Sequence, residues 1–327
     1  MFDLISIGDT TIDTFIQISD AEIVCDAHKE RCKICFDFGQ KIPVEKLIHL
    51  VAGNAANNAV GGKRLGLKTA IYTNIGDDSS GQDIAKRFLE EKVDSRYVIN
   101  NAGMESNFSA VLNFKGDRTI FVYHQDWKYR LPELDRSRWL YYTSVGASFS
   151  DSNLVEEVIN YLQRTGARLM YSPGTYQLKR GVKKYPQLLA LAEVFNVNKE
   201  EAKKILGYQS DEVVNVKKLL KQLNDLGPKV VIITDGPQGV FATDGMNFYQ
   251  MDAFPATVLE TTGAGDGFAI GVLAALFYGR DLTEALRWGS ANSASVIEQI
   301  GPQAGLLTRE KIQQKLKENG KIVADVF

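Results

Sequence analysis

An acidic residue follows a run of small residues near the carboxyl end of the chain, in Thr262-Gly263-Ala264-Gly265-Asp266. Small residues let backbone N–H groups converge, and the apolar stretch that follows predicts a helix beginning within the turn. The unpaired amides and the positive end of the helix dipole together make an anion site. The acid has two interpretations. It caps the first helical turn, or it is the base of a phosphoryl transfer in which the amides hold the phosphoryl oxygens.

Two common nucleotide-binding motifs are excluded. The dinucleotide pattern G-x-G-x-x-G needs glycine where Phe268 stands, and it follows a first strand rather than lying near the end of a chain. The P-loop sequence G-x-x-x-x-G-K-[ST] occurs nowhere in the sequence. If the turn binds phosphate, it does so through a different arrangement.

The composition is that of an ordinary globular protein. The chain has 327 residues, 44% hydrophobic and 24% charged, with a net charge of -2. A charge so close to neutral gives no case for nucleic acid as a partner, and no apolar stretch reaches the roughly 20 residues that span a bilayer. The first residues lack the features of a signal peptide. We therefore expect a cytoplasmic protein that acts on a small molecule, with no nucleic-acid or membrane partner.

The elements that must position the turn follow an α/β pattern. From Trp139 to Thr234, short apolar strands alternate with amphipathic helices, which predicts βαβ units and a mainly parallel sheet. The last third is mostly helical. Two period-2 excursions, at about 15–50 and 103–123, do not fit this pattern and are predicted to form one small sheet above the main one. We expect a single three-layer domain over 1–327.

Five motifs, in order along nearly the whole chain, resemble those of one family. The segment Glu260–Phe268 resembles the C-terminal signature of the ribokinase (PfkB) family of carbohydrate kinases. The other matches are Gly8-Asp9…Asp13, Gly53–Ala59 with Asn74–Gly81, Asn198…Glu201 (N-x-x-E) and Thr234–Gly239 (T-x-G-x-x-G). The resemblance implies a ribokinase-like sandwich with a mostly parallel sheet and a small β-sheet lid. It also implies ATP as donor, magnesium, and a substrate hydroxyl as acceptor.

The resemblance also implies roles for the residues nearest the chemistry. Asp266 is expected to be the general base, and Gly263, Ala264 and Gly265 the anion hole. The residues expected to bind substrate hydroxyls are Asp13, Gly53, Asn54 and Asn57. The alternative for the two asparagines is capping of a helix N-terminus.

A second set of matched residues is expected to bind the nucleotide. Asn198 and Glu201 would organise magnesium, with Glu201 acting through water, because Mg²⁺ gives up its hydration reluctantly. Thr234, Gly236 and Gly239 would border the ATP phosphates. The alternatives are an ordinary helix start for the first pair and a plain strand-to-turn connection for the others.

Two departures from the family pattern bear on specificity. Glu260 stands where the family commonly has an aspartate that, in many relatives, helps to bind a monovalent cation. The extra methylene changes the size of that site, so dependence on a monovalent cation does not carry over to this chain. The segment Tyr171–Gly174 replaces a D-x-N-x-R type segment of several sugar kinases, and specificity cannot be taken from it.

A cluster of soft ligands lies within the first excursion. Cys25, His28, Cys32 and Cys35 follow the spacing C-x2-H-x3-C-x2-C. Four such ligands are able to hold a structural Zn²⁺ that stiffens the lid. The alternatives are free thiols in a loop or a redox-labile pair formed by Cys32 and Cys35.

Three functions fit the motifs. An ATP-dependent sugar kinase leads. A nucleoside kinase shares the signatures and would need an aromatic platform for the base, for which the candidates are Phe108, Tyr123, His124 and Trp127; the alternative is that these side chains pack the lid. A catalytically inactive sugar or nucleotide sensor is the third, and the retained Asp266 turn argues against it. We also expect a homodimer formed through the lid sheet.

Overall fold

The computed structural model describes residues 1–25, 32–115 and 117–327. The strands are β1 (Phe2–Ile7), β2 (Thr11–Ile18), β3 (Glu22–Cys25), β4 (Cys32–Cys35), β5 (Val44–Ala52), β6 (Thr69–Gly76), β7 (Asp94–Asn101), β8 (Phe108–Phe114), β9 (Asp117–Tyr123), β10 (Ser137–Tyr142), β11 (Arg168–Tyr171), β12 (Ala192–Asn198), β13 (Val230–Thr234), β14 (Val240–Thr243), β15 (Phe248–Met251) and β16 (Asp325–Val326). The α-helices are α1 (Asn54–Arg64), α2 (Ser79–Glu90), α3 (Leu154–Thr165), α4 (Thr175–Arg180), α5 (Pro186–Leu191), α6 (Lys199–Leu206), α7 (Val216–Asn224), α8 (Ala264–Phe277), α9 (Leu282–Val296) and α10 (Arg309–Glu318).

One large sheet runs through the middle of the molecule. Within the described residues it has ten strands, in the order β16-β15-β14-β13-β12-β11-β10-β1-β6-β7. The strands from β13 to β7 pair in parallel, and β14, β15 and β16 continue the sheet antiparallel. The predicted mostly parallel α/β architecture is therefore confirmed. Because parallel strands all end at one edge, the loops that follow them meet there.

Helices cover both faces of this sheet and enclose two apolar cores. Along β10, Trp139 and Tyr141 pack against the core beneath α1, α2, α8, α9 and α10, whereas Leu140 and Tyr142 pack against the core beneath α3, α5, α6 and α7. This alternation is the period of two that a strand buried on both faces requires. In the described ranges, no helix combines the length and the hydropathy that crossing a bilayer would require.

Glycines allow α8 to lie in close contact with its neighbours. A Cβ added at Gly61 of α1 would lie 2.8 Å from Ile270 Cγ2 in α8, and one at Gly271 would lie 2.7 Å from the Trp288 carbonyl oxygen in α9. α8 is buried along most of its length and apolar on all sides, as a helix inside a core must be. Its amino end is thereby held at the edge where the parallel strands finish.

A second sheet lies beside that edge. Its described strands run in the order β5-β2-β8-β9 and fall mostly within the two predicted excursions, although β2 begins earlier, at Thr11. The register places Asp13 opposite Ser109, and Ser109 opposite Val122, so these three side chains share one face. Phe108 and Tyr123 are paired on the opposite face.

The cysteine cluster does not form the predicted zinc site. Cys25 and Cys32, which face each other across β3 and β4, are joined in a disulfide, and Cys35 keeps a free thiol. The zinc prediction is wrong for this structure because sulfurs bonded to each other are no longer thiolates, which are the form that binds zinc. The alternative pairing of Cys32 with Cys35 is also not formed. His28 lies outside the described residues.

Candidate active site

The acid of the glycine turn lies at the amino end of α8. Gly263 is the N-cap, with φ 80°, and α8 begins at Ala264, so Asp266 is in the first turn. Its side chain is buried, with 7% of the residue exposed. A Cβ at Gly263 would collide with Pro302. Glycine is therefore required there on two grounds, the positive φ and the close approach of Pro302.

Three asparagines of α1 hold the Asp266 carboxylate. Asn57 Nδ2 donates to Oδ2 at 2.7 Å, and Asn54 Nδ2 donates to Oδ1 at 2.9 Å. Asn58 Nδ2 donates to Oδ1 at a longer 3.4 Å. α1 has no side-chain cap, so the first two asparagines do not serve as helix caps. They instead connect the start of α1 to the start of α8.

The environment raises the pKa of Asp266 to about 6. Burial is the largest cause because it disfavours the charged form, and the nearby charge of Asp13 adds to it. The hydrogen bonds from Asn57, Asn54 and Asn58 act in the opposite direction. The carboxyl is thus ionised at neutral pH and yet basic enough to accept a proton.

The turn itself presents amides at the same place. Ala264 N–H is engaged within the turn by the Thr261 carbonyl at 3.2 Å, and Gly267 N–H bonds the Gly263 carbonyl at 2.8 Å. The amides of Gly265 and Asp266 then fall in the first turn, where a helix offers no acceptor. Gly265 is exposed, with open space around its Cα. Of the three predicted anion-hole residues, Ala264 thus has its amide occupied, and Gly265 is the most open.

The predicted substrate residues surround one cavity of about 350 Å³ with Asp266 and Gly263. Asp13, Gly53, Asn54 and Asn57 all line it. Asp13 comes from the small sheet, and burial raises its pKa, although the hydroxyls of Thr11 and Ser109 donate to it and act in the opposite direction. Side chains from the small sheet and from α1 therefore converge opposite the glycine turn.

Gly53 and Asp9 build the floor of this cavity. Gly53 has φ 96°, and a Cβ there would lie 2.6 Å from the Asp9 carbonyl oxygen, so the turn from β5 into α1 packs directly on the end of β1. The Asp9 carboxylate is buried, and the Tyr129 hydroxyl that donates to it lies 2.7 Å from Oδ1 and 2.8 Å from Oδ2. That hydroxyl in turn accepts from Gly146 N–H at 2.7 Å.

The predicted nucleotide residues lie farther along the same edge. Asn198 and Thr234 end β12 and β13 and pair with each other in register. Gly236 and Gly239, with φ 53° and 85°, form the turn after β13. None of them is among the described residues that line the cavity beside Asp266. The structure thus places two groups of candidate residues side by side, one around the cavity and one next to it.

A family model supplies the identification. The model for pfkB family carbohydrate kinases matches residues 15–309. The chain belongs to the pfkB family of carbohydrate kinases. It is 24% identical over 313 residues to the ATP-dependent 6-phosphofructokinase of Thermoanaerobacterium thermosaccharolyticum, covering 92% of this chain and 89% of that protein. It is 26% identical over 275 residues to the ribokinase of Haemophilus influenzae, covering 81% and 87%.

Solved structures share the fold of this pfkB kinase. The Methanocaldococcus jannaschii nucleoside kinase superposes with a TM-score of 0.76 at 18% identity, covering 97% of this chain and 99% of that one. The Arabidopsis thaliana ribokinase, complexed with ribose and ATP, superposes with a TM-score of 0.76 at 20% identity and the same coverage. The ribokinase fold is confirmed, and the chain is a kinase of the pfkB carbohydrate kinase family.

In this kinase the N-x-x-E pair caps a helix. Asn198 Oδ1 accepts from Glu201 N–H at 2.8 Å, and Glu201 Oε2 accepts from Asn198 N–H at 2.9 Å, which makes a capping box at the start of α6. Burial raises the pKa of Glu201, with a contribution from the charge of Asp266. A carboxylate of this kind is able to accept hydrogen bonds from the water molecules around Mg²⁺. Among the described residues, no group of three or more acidic, histidine or cysteine side chains makes a ready metal site.

Glu260 is tied to its own turn. Its Oε1 accepts from Thr262 N–H at 2.7 Å and lies 3.9 Å from Arg118 Nε of β9. The residue is 6% exposed, and its Oε2 has no partner in the described structure. The longer side chain that replaces the family's aspartate thus reaches back to the amide of the turn, beside a guanidinium from the small sheet.

Sequence reasoning missed several residues at the site. Asn58 is the clearest, since the spacing of Asn54, Asn57 and Asn58 places all three on one helical face. Asp9 was seen only as part of a motif, and Ser109 carries no signal in the sequence at all. Tyr176 also lines the cavity, on the short helix after the segment that departs from the family pattern.

We predict that Tyr129→Phe destabilises the kinase. The change leaves the buried Asp9 carboxylate without its hydroxyl donor and Gly146 N–H without its acceptor, which costs about 1–3 kcal/mol of unfolding free energy. Urea unfolding at pH 7 measures it. Tyr123→Phe is the control, since that hydroxyl donates to Glu105 at the surface. Equal urea midpoints for the two variants would contradict the prediction.

Proposed function

We propose that this kinase transfers the γ-phosphoryl group of ATP to a hydroxyl of a small sugar, with Asp266 as general base. The observation that carries the proposal is the Asp266 carboxylate, which lines the cavity at the amino end of α8 with its pKa raised to about 6. A carboxylate with that pKa, next to helix N-terminal amides, supplies both requirements of phosphoryl transfer to an alcohol.

Each of these residues has a role in the proposed transfer. Asp266 takes the proton of the acceptor hydroxyl as the acceptor oxygen bonds to the γ-phosphorus, and the bond from that phosphorus to the bridging oxygen of ADP breaks. The first-turn amides of α8, that of Gly265 foremost, donate to the phosphoryl oxygens while charge builds on them. Asp13 orients the acceptor from the small sheet, and Asn54 and Asn57 line the same cavity beside the carboxylate that they hold.

Magnesium fits the second group of residues. When bound, Mg²⁺ would neutralise charge on the ATP phosphates, with Glu201 accepting hydrogen bonds from its waters. Thr234, Gly236 and Gly239 would lie along those phosphates. Both glycines have a positive φ, which glycine adopts without strain, and their lack of side chains leaves the turn backbone open to the phosphates.

The composition of the cavity wall favours a sugar over a nucleoside. Of the four aromatic candidates for a base platform, only His124 lines the cavity, and Trp127 is buried in the core. One feature favours the nucleoside alternative. His124 and Tyr176 pack edge to face with ring centroids 5.6 Å apart, and both line the wall. Hydrogen-bonding groups around a cavity of about 350 Å³ suit a polyol better.

We predict that Asp266→Asn lowers kcat about 10²–10⁴-fold while ATP still binds, because the base is lost and the phosphate contacts remain. ADP release is measured with ATP and magnesium against a panel of sugars, sugar phosphates and nucleosides, and ATP binding by calorimetry. A hit among the sugars that disappears in the variant is the expected result.

Asp225→Asn is the matched control, because it makes the same isosteric change at an exposed position on the surface. It should leave turnover unchanged. A hit only among nucleosides would overturn the sugar assignment and leave the base in place. Full turnover by Asp266→Asn would remove the base, and ATP binding without turnover of any acceptor would favour the sensor alternative.

We predict an acid limb near pH 6 in kcat/KM for the acceptor. The raised pKa of Asp266 means that the group is protonated, and so unable to accept a proton, below about pH 6. Activity should therefore rise with pH through this value and fall about tenfold per unit well below it. Initial rates at saturating ATP from pH 4.5 to 8.5 measure the profile. A flat profile over that range would contradict it.

We also propose a homodimer formed through the small sheet. The face turned away from the cavity leaves apolar side chains exposed, including Phe121 at 59% and Leu47 at 54%. We expect light scattering to give twice the mass of one chain, and Phe121→Asp to halve it by placing charge in the interface. A monomer at the working concentration would refute this proposal.

A further inference from the structure

The amide of Asn57 is fixed at both ends. Its Nδ2 donates to Asp266, and its Oδ1 accepts from Gln303 Nε2 at 3.2 Å. Both amide side chains are buried, with Asn57 at 3% and Gln303 at 4% exposure. Gln303 belongs to the segment between α9 and α10, far from α1 in the sequence.

Gln303 is in turn held by two arginines. Arg87 Nε of α2 donates to its Oε1 at 3.0 Å, and Arg64 Nη1 at the end of α1 donates to its carbonyl oxygen at 2.6 Å. Both guanidiniums pair with Glu91, at 2.8 Å for Arg87 and 2.5 Å for Arg64. Burial raises the pKa of Glu91, but the hydrogen bond from Arg64 and the two positive charges lower it overall. The arginines are therefore anchored by an ionised carboxylate.

Arg87 fixes the donor and the acceptor of each hydrogen bond in the series from Arg87 through Gln303 and Asn57 to Asp266. A guanidinium only donates, so the oxygen of the Gln303 amide must face Arg87 and its NH₂ must face Asn57. Asn57 then turns its oxygen to Gln303 and its NH₂ to Asp266. Reversing the Asn57 amide would place a carbonyl oxygen against the carboxylate and an NH₂ group against another NH₂ group. The hydrogen bonds of Asn57 to Asp266 and to Gln303 would both be lost.

We propose that Gln303, oriented by Arg87, is a positioning residue that holds the Asn57 amide so that it donates to Asp266 and aims the carboxylate into the cavity. This inference rests on the proposed role of Asp266 as base. Because Gln303 keeps the Asn57 amide turned toward Asp266, ionising the buried Asp266 carboxyl costs less free energy than it would if the Asn57 amide were free to turn. Asn57 is the largest of the three asparagine contributions that lower the pKa of Asp266.

Other ionisable groups also face Asp266. They are Asp13 from β2, Glu201 from α6 and Tyr141 from β10. The test keeps all three unchanged, so a change in the pH profile is not due to them.

The test is a double-mutant cycle on the acid limb of kcat/KM. Gln303→Met removes both hydrogen bonds at nearly constant size, and we expect the limb to move up by roughly one pH unit, with kcat/KM at pH 6 down about fivefold. In an Asn57→Ala background the same change should move the limb by less than about 0.2 units, because the residue through which Gln303 acts is gone. Gln299→Met, at an exposed position of the same segment, should leave the profile unchanged.

Two results for Gln303→Met overturn the proposal. An unmoved limb in Gln303→Met, or an equal shift with and without Asn57, means that Gln303 does not act through Asn57. If Gln303→Met does not fold, as thermal unfolding would reveal, Arg87→Met is measured instead. It should move the limb in the same direction by about half as much, and an unmoved limb there also refutes the proposal. Asp266→Asn distinguishes a failure of the positioning role from a failure of the proposed function. If Asp266→Asn is inactive and the acid limb of Gln303→Met is unmoved, only the positioning role of Gln303 is refuted. If Asp266→Asn keeps full turnover, both the positioning role and the proposed base are refuted.

Discussion

The burial of one carboxylate among neutral donors is the constraint on which the site depends. Asp266 is 7% exposed, and its three hydrogen-bond partners are amides rather than cations. A cation at hydrogen-bond distance would hold the pKa of the carboxyl low and make it a poor base. Amides stabilise the ionised form only partly, so burial prevails and the pKa stays near 6. The positive charges that organise the group lie farther away, on Arg64 and Arg87.

This arrangement requires α1 and α8 to lie close together, and small residues make that possible. α1 reads Asn-Ala-Ala-Asn-Asn-Ala-Val-Gly-Gly-Lys-Arg, and eight of its residues are buried. A Cβ at Gly61 would meet Ile270 of α8, and one at Gly62 would lie 2.9 Å from Leu4 of β1. A larger side chain at either glycine would push the helix away from the sheet or from α8 and lengthen the asparagine bonds. The small residues of α1 thus allow the short bonds from its asparagines to Asp266.

Local patterns predicted the fold well, whereas partners distant in the sequence were not predictable. The start of α8 at Ala264 follows from the glycine turn and the apolar run. β14 and β15 are not predicted because they pair antiparallel with their neighbours, outside the strand–helix alternation on which the prediction depends. Asn54 and Asn57 were assigned to the site, but their bond to a carboxylate more than 200 residues away depends on the packing of α1 on α8. The pairing of Cys25 with Cys32 likewise depends on the register of β3 against β4.

The two groups of site residues are coupled by charge, and this argues for a divalent cation in the proposed reaction. Burial raises the pKa of Glu201, and the charge of Asp266 adds to it, as expected for two carboxylates near the same edge of the sheet. ATP would add its polyphosphate charge beside them, in a partly buried site where such repulsion is weakly screened. Amides of the α8 turn offset only part of that charge. Glu201 accepts from the Asn198 backbone through Oε2, so Oε1 would be the oxygen that accepts from the waters of a bound Mg²⁺, whose charge would offset that of the phosphates.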